Sequence, residues 1–177
     1  YNLIMQKIIL LLFINFLLSD EFNFYPENSY IKYIGHHPLH SWTGISNNFE
    51  FDLNINENSF SIYISSRLDS FNSNNENRDS NMLFYTESLI YPNVTFKSDI
   101  ITYTKLKKIN LIKGILNFHG IEKQITAKVE ILENNSTFVG ICNFKIKLSD
   151  FNIERPKLLM LSIEDIIELE TKIELLK

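Results

Sequence analysis

From Phe138 to Leu148 the chain alternates without a break, with Phe138, Gly140, Cys142, Phe144, Ile146 and Leu148 on one side and Val139, Ile141, Asn143, Lys145 and Lys147 on the other. A period of two sustained over that length is what an extended chain presents, and a helix cannot reproduce it. The pattern recurs upstream. Phe49, Phe51, Leu53 and Ile55 alternate with Asn48, Glu50, Asp52 and Asn54, and Phe60, Ile62 and Ile64 alternate with Ser61, Tyr63 and Ser65. Strands patterned in this way belong to antiparallel sheets with one face buried and one in water.

Short polar connections join these strands. Asn56, Glu57 and Asn58 suit the turn of a first hairpin. Leu111–Phe118 and Gln124–Ile131 form a second, joined by His119 to Lys123, where Gly120 can supply a positive φ angle. In that hairpin Ile112, Gly114, Leu116 and Phe118 face the same way as Ile125, Ala127, Val129 and Ile131. Ile100 to Leu106 and Ile166 to Leu176 read as further strands, the last with Glu168, Glu170, Lys172 and Glu174 outward. Phe151 to Pro156 reads as an irregular crossing. Tyr30 to Ile34 reads as a first strand ending at Gly35, and the run from His36 to Gly44 as a bend, because Pro38 lacks a donor and holds His37 extended.

One stretch departs from this pattern. Asn77 to Ser98 opens as a short helix in which Met82, Leu83 and Tyr85 share a face with Leu89, with Asp79 or Ser80 as its cap. It breaks at Tyr91-Pro92 and re-enters the sheet through Val94 to Ser98. The expectation is all-β: an extended antiparallel barrel of roughly eight strands, with this helical insertion closing one end over a cavity. Closure removes the exposed edges that promote aggregation. A barrel of about eight strands is filled by side chains or holds one small ligand.

Length and charge narrow the class. A chain of 177 residues suits one domain. A net charge of −4 with no basic stripe argues against nucleic acid as a partner. Cys142 is the single cysteine, so an intramolecular disulfide and a thiolate zinc cluster are both excluded. Between Ile141 and Asn143, near Phe144, it reads as a buried and inert thiol. Met5, Gln6 and Lys7, followed by the apolar run Ile8 to Leu18, fit a secretory signal over residues 1–19 that starts at Met5 and precedes a domain over residues 20–177. A membrane span needs roughly 20 apolar residues. An uncleaved anchor is the alternative, since the run Leu17, Leu18, Ser19 lacks a small residue three positions before the cut.

Four ordered blocks, NRDSNMLF with LIYPNVTFKS, then GILNFHGIEKQI, then FKIKLSDFNIERP, together with GHHPLHSWTGIS, resemble the YceI-like family of periplasmic, lipocalin-like proteins. The last block resembles the branch in which His-Pro-Leu-His precedes a Trp, and the resemblance runs from about Ser29 to Leu175. It implies a long barrel holding an isoprenoid chain, a quinone-like lipid or another amphiphile, and export to the periplasm or beyond. The branch usually carries His where Asn81 stands, so a headgroup role at that position is in doubt.

The candidate ligand-binding residues follow from both readings. Inward aromatics Phe49, Phe51, Phe60, Phe96, Phe118, Phe138 and Phe144, with Met82 from the helix, serve as core or as cavity lining. A functional reading places His37, His40 and His119 at a barrel mouth and a structural one leaves them in ordinary hydrogen bonds; Trp42 joins the ligand-binding candidates, and Arg78 either takes a ligand oxygen or, with Asp79, braces the helix. No catalytic constellation, phosphate loop or dinucleotide fingerprint is present, so the reading is a binding protein and not an enzyme, with no metal and no cofactor beyond a bound lipid. Its partner is an amphiphilic lipid. A homodimer and peripheral membrane association during ligand delivery are compatible with it. The rivals are a metal-dependent or enzymatic barrel built on His37, His40 and His119, and a solidly packed structural or stress-response barrel.

Overall fold

The computed structural model describes residues 22–102 and 108–176. The expected leader over residues 1–19 and the stretch Tyr103 to Leu106 of the expected strand lie outside the described residues. The elements run β1 (Asn23–Phe24), β2 (Tyr30–His37), β3 (His40–Ser46), β4 (Phe49–Asn56), β5 (Ser59–Arg67), α1 (Glu76–Tyr85), β6 (Asn93–Ser98), β7 (Ile101–Thr102) and β8 (Ile109–Phe118). They continue with β9 (Ile121–Glu133), β10 (Thr137–Lys147), β11 (Lys157–Leu158), β12 (Leu161–Ser162) and β13 (Ile166–Leu176). The chain is mostly β, antiparallel throughout, with one short α-helix among the described residues.

The main sheet has the order β3-β2-β13-β10-β9-β8-β6-β5-β4. Laid flat at about 4.8 Å per strand, its edges β3 and β4 would lie roughly 38 Å apart. They are joined by Asn47 and Asn48 alone, a link that spans at most about 11 Å. The sheet therefore has to curl until its edges approach. Along the resulting seam, side chains and single bridges take the place of a ladder. Ile45 and Asn72 exchange backbone hydrogen bonds of 3.0 and 2.9 Å. The buried Ser46 hydroxyl lies 2.7 Å from that of Ser70, which lies 3.3 Å from the hydroxyl of buried Ser66.

The expected alternations become strands with the expected faces. In the β8–β9 hairpin Ile112 pairs with Ala127 and Gly114 with Ile125, so both rows share the interior. The connection is tighter than His119 to Lys123: His119 and Gly120 alone make the turn, both at positive φ (52° and 70°), the geometry that matches strand twist in two-residue hairpins. On β13 the outward carboxylates of Glu168 and Glu170 pair with Lys145 and Lys32 at 2.6 and 2.8 Å.

Two local readings are corrected. The run from His36 to Gly44 is not a bend but strand, turn and strand, with Pro38 and Leu39 as the turn and His37 paired directly with His40. Pro38 suits the turn because its φ is fixed there, and the extended geometry it imposes on His37 keeps that residue in β2. The helix begins at Glu76, ahead of the expected start, and its cap is Asn75, whose side chain accepts the Arg78 amide at 3.0 Å. Asp79 lies inside the helix, where its carboxylate accepts the amide of buried Ser73 at 3.1 and 3.2 Å. Leu89 falls beyond the helix end and is fully exposed, so it shares no face with Met82.

The core gathers Leu68, Leu116, Phe118, Ile146, Leu148, Phe151, Ile153 and Ile167. No helix of the described residues is long and apolar enough to cross a membrane.

Candidate functional site

The segment between β5 and β6 leaves the sheet after Arg67 and returns at Asn93, which pairs with Arg67. Its excursion carries α1 across the barrel interior. Beneath it lies a cavity of about 410 Å³, within the usual range for small-molecule sites. Its inner wall is apolar: Leu68, Val94, Leu116, Phe118, Ile146, Leu148, Ile153, Ile163, Ile167 and Leu169. Its rim is mixed. His37, His40 and Trp42 come from the β2–β3 hairpin, Asn75, Asn77, Arg78, Asn81, Met82 and Tyr85 from α1 and its cap, and Pro156, Lys157 and Leu158 from β11 and the residue before it.

Register explains the β2–β3 wall. The cross-strand pairs on the inward face set large against small, Ile31 with Ser46, Tyr33 with Gly44 and Trp42 with Gly35. The Tyr33 ring lies over Gly44 and the indole over Gly35, positions where any Cβ would collide with the ring. Beyond them the rings of His37, His40 and Trp42 follow one another at 5.6 and 5.7 Å between centroids. The Arg78 guanidinium sits over the indole at 5.6 Å and also donates to the Ser73 carbonyl at 3.4 Å, so it fastens α1 to this wall.

Tyr33 supplies the one buried side-chain polar atom without a hydrogen-bond partner among the described residues, its hydroxyl oxygen. Burial, and after it the charge of Asp79, pushes the phenol up to about 12, so it stays protonated and can donate. An unpartnered donor in an apolar cavity costs free energy that a ligand acceptor can recover. The two nitrogens of His37 are already used. The Leu39 amide donates to Nδ1 at 3.2 Å, which leaves Nε2 to donate to the Leu161 carbonyl at 3.2 Å.

Of the residues singled out in the sequence, His37, His40, Trp42, Arg78, Met82 and Phe118 line the cavity. The others lie elsewhere. Phe49 and Phe51 pack on Phe24, and Phe138 packs edge-on to Phe22. Phe24 and Phe138 both pair with Leu175, near the end of β13, whereas the cavity lies by Ile167 and Leu169 at its start. Phe60 is buried away from the cavity, and Phe96 and Phe144 pack against the core from partly exposed positions. His119 bridges the Phe151 carbonyl (2.8 Å) and the Glu87 carboxylate (2.9 Å) under the ring of Tyr91. The three histidines therefore do not converge. The described residues hold no group of three His, Cys, Asp or Glu side chains able to grip a metal ion. Along the helix, Met82 lines the cavity, Leu83 packs on the core and Phe84 is exposed to water.

Sequence reasoning did not single out Tyr33, although it stands two positions before Gly35 in the same inward row as His37. It had no means of finding Ile153, Pro156, Leu158 and Ile163, which come from a segment without periodicity.

A family model described as YceI-like domain matches residues 22–175. Among curated proteins none matches the chain. Solved structures share its fold. BcnA of Burkholderia cenocepacia superposes with a TM-score of 0.75 at 16% identity, covering 86% of this chain and 99% of that one. A polyisoprenoid binding domain from Saccharophagus degradans, implicated in plant cell wall breakdown, gives 0.70 at 13% identity over 88% and 97%. The Campylobacter jejuni YCEI protein gives 0.62 at 22% identity over 76% and 84%.

Proposed function

The chain belongs to the YceI-like domain family, and from that premise we propose that it is an exported, non-catalytic carrier that holds an isoprenoid chain or similar amphiphile in the cavity beneath α1. The observation that carries this reading is the division of the cavity itself, with an apolar inner wall and a rim of imidazole, amide and cationic groups. An aliphatic tail gains roughly 25 cal/mol per Å² of apolar surface it buries, so the inner wall supplies affinity without a charged anchor. The rim suits a neutral or polar headgroup, with the Tyr33 hydroxyl as a donor. The polyisoprenoid binding named for the Saccharophagus domain supports the choice of tail. The apolar run Ile8 to Leu18 supports export, with residues 1–19 acting as the leader and the remainder working in the periplasm or outside the cell.

The test is native mass spectrometry of the protein as purified, followed by organic extraction. The expected result is a co-purifying lipid with a polyprenyl or long acyl tail. Protein that is empty as isolated, and that also refuses farnesyl and oleoyl fluorescent probes, would overturn the proposal in favour of a structural barrel.

A further inference from the structure

Between the core and β13 the chain extends a small hairpin, β11 and β12, whose turn is Leu159 and Met160. Both residues have positive φ, 53° and 67°. This backbone favours Asn and Gly and is strained for Leu and Met. Their side chains are 75% and 94% exposed, with Leu158 and Leu161 each close to half exposed beside them. Turn geometry does not demand this choice, since the β8–β9 turn has the same pair of positive angles and uses His119 and Gly120. The two turn side chains leave their apolar surface facing water. Backbone strain that the fold tolerates without local return is a pointer to function.

The tip is tied to the cavity mouth. Leu158 lines the cavity, and His37 holds the Leu161 carbonyl through Nε2 and the Leu39 amide through Nδ1. Leu39, itself 61% exposed, thereby joins the same apolar edge. We propose that the Leu158–Leu161 tip, with Leu39, is a wedge that enters the surface of a lipid bilayer and brings the cavity mouth against it, so that an amphiphile passes between membrane and cavity without crossing water. The inference rests on the reading of the cavity as a lipid site for its purpose, but not for its geometry.

A bilayer fits this surface better than a protein does. The edge is the tip of a two-residue hairpin turn and comprises a handful of exposed side chains, far fewer than the roughly 20–30 residues a side of a stable protein interface. Insertion into fluid acyl chains needs no matching pocket. No charge interrupts the sequence from Leu158 to Ile163, while Arg155 and Lys157 precede it and Glu164 follows it, so the wedge should work on neutral membranes.

The test uses the full chain in a Cys142→Ala background, with Met160→Cys carrying a polarity-sensitive nitrobenzoxadiazole label and Asn135→Cys as control. Asn135 lies in the β10-leading turn beside the far end of β13, about 33 Å from the start of that strand. On phosphatidylcholine vesicles, label at position 160 is expected to shift to the blue and to be quenched by nitroxide lipids placed at shallow depth, and label at 135 to do neither. The double variant Leu159→Asn with Met160→Gly gives the turn the residues it prefers and removes the apolar tip. It is expected to bind a dansylated farnesol from solution as the parent does, and to extract that probe from vesicles at least tenfold more slowly.

Label at 160 that stays in water on vesicles would overturn the wedge. So would a shift that depends on protein concentration without lipid, which would identify a second copy as the occupant, or equal extraction rates for variant and parent. Failure of the parent to bind the probe from solution would instead refute the lipid-carrier reading, with the label result standing separately.

Discussion

The indole of Trp42 lies directly over Gly35, its cross-strand partner, and fills the space a side chain at position 35 would need. A Gly35→Ala substitution must therefore displace the ring, and the ring's open side is the cavity it lines. Overpacking of this kind costs about 1–3 kcal/mol. The expected outcome is a lower urea midpoint with a shift in tryptophan emission, which reports position 42 alone because the chain has one Trp. An unchanged emission spectrum with unchanged stability would contradict the close contact.

The start of α1 is fixed by Asp79. Its carboxylate takes the amide of buried Ser73, and neighbouring Arg78 spans the Ser73 carbonyl and the Trp42 ring. An Asp79→Ala substitution leaves that buried amide unpaired, a loss of about 1–3 kcal/mol. The helix should loosen before the barrel does. Hydrogen exchange is expected to accelerate over residues 73–85 and to stay slow in β8 to β10. Acceleration spread evenly across the sheet would mean that the segment is not a separate lid.

How far the sequence reached depended on whether a segment had a period. Strands β4, β5, β8, β9, β10 and β13 were legible because their alternation is forced by one wet and one buried face. The His36–Gly44 run was misjudged because Pro38 announces a turn, but its effect on each side, extending His37 and letting His40 pair with it, is set by register. The cap at Asn75 is hidden by Asp79 and Ser80, later residues of similar capping character. The cavity was legible only in part. Aromatics placed inward by alternation, such as Phe49 and Phe138, proved to pack at the far end of β13, because alternation gives the face of a strand and not the height along it. Ile153, Pro156, Leu158 and Ile163 line the site from a stretch whose path is dictated by tertiary contacts alone.

Alkaline pH should weaken the fold in a defined window. Partial burial pushes the thiol of half-buried Cys142 up to about 12 from 9.0, and burial of its hydroxyl likewise pushes Tyr33 up to about 12 from 10.0. A hydrogen bond to Glu170 does the same for Tyr30. Between the unfolded and folded values the unfolded chain has released protons that the folded chain retains, so stability falls as pH rises. Thermal midpoints are expected to drop from about pH 9 towards pH 12, and Cys142→Ala to flatten the first part of that decline. Alkylation of native protein by iodoacetamide at pH 8 should be slow compared with the unfolded chain. A midpoint that is flat across this range would contradict the burial of both groups.

The Tyr33 hydroxyl separates a ligand role from a structural one, because among the described residues its O–H finds no acceptor. Replacing it with Phe removes a buried donor that no described residue satisfies. The ligand-free protein should therefore become no less stable, and should gain up to about 1 kcal/mol. If the carried amphiphile places an oxygen at the same depth, its binding loses a hydrogen bond to a neutral donor, which is worth about 0.5–1.5 kcal/mol, or roughly two- to tenfold in affinity. A farnesol probe should thus weaken on Tyr33→Phe while a hydrocarbon analogue without the hydroxyl binds unchanged. Gly44 accommodates the same ring in both proteins, so repacking does not blur the comparison. Equal losses for alcohol and hydrocarbon would assign Tyr33 to the wall of the cavity and not to recognition of the headgroup.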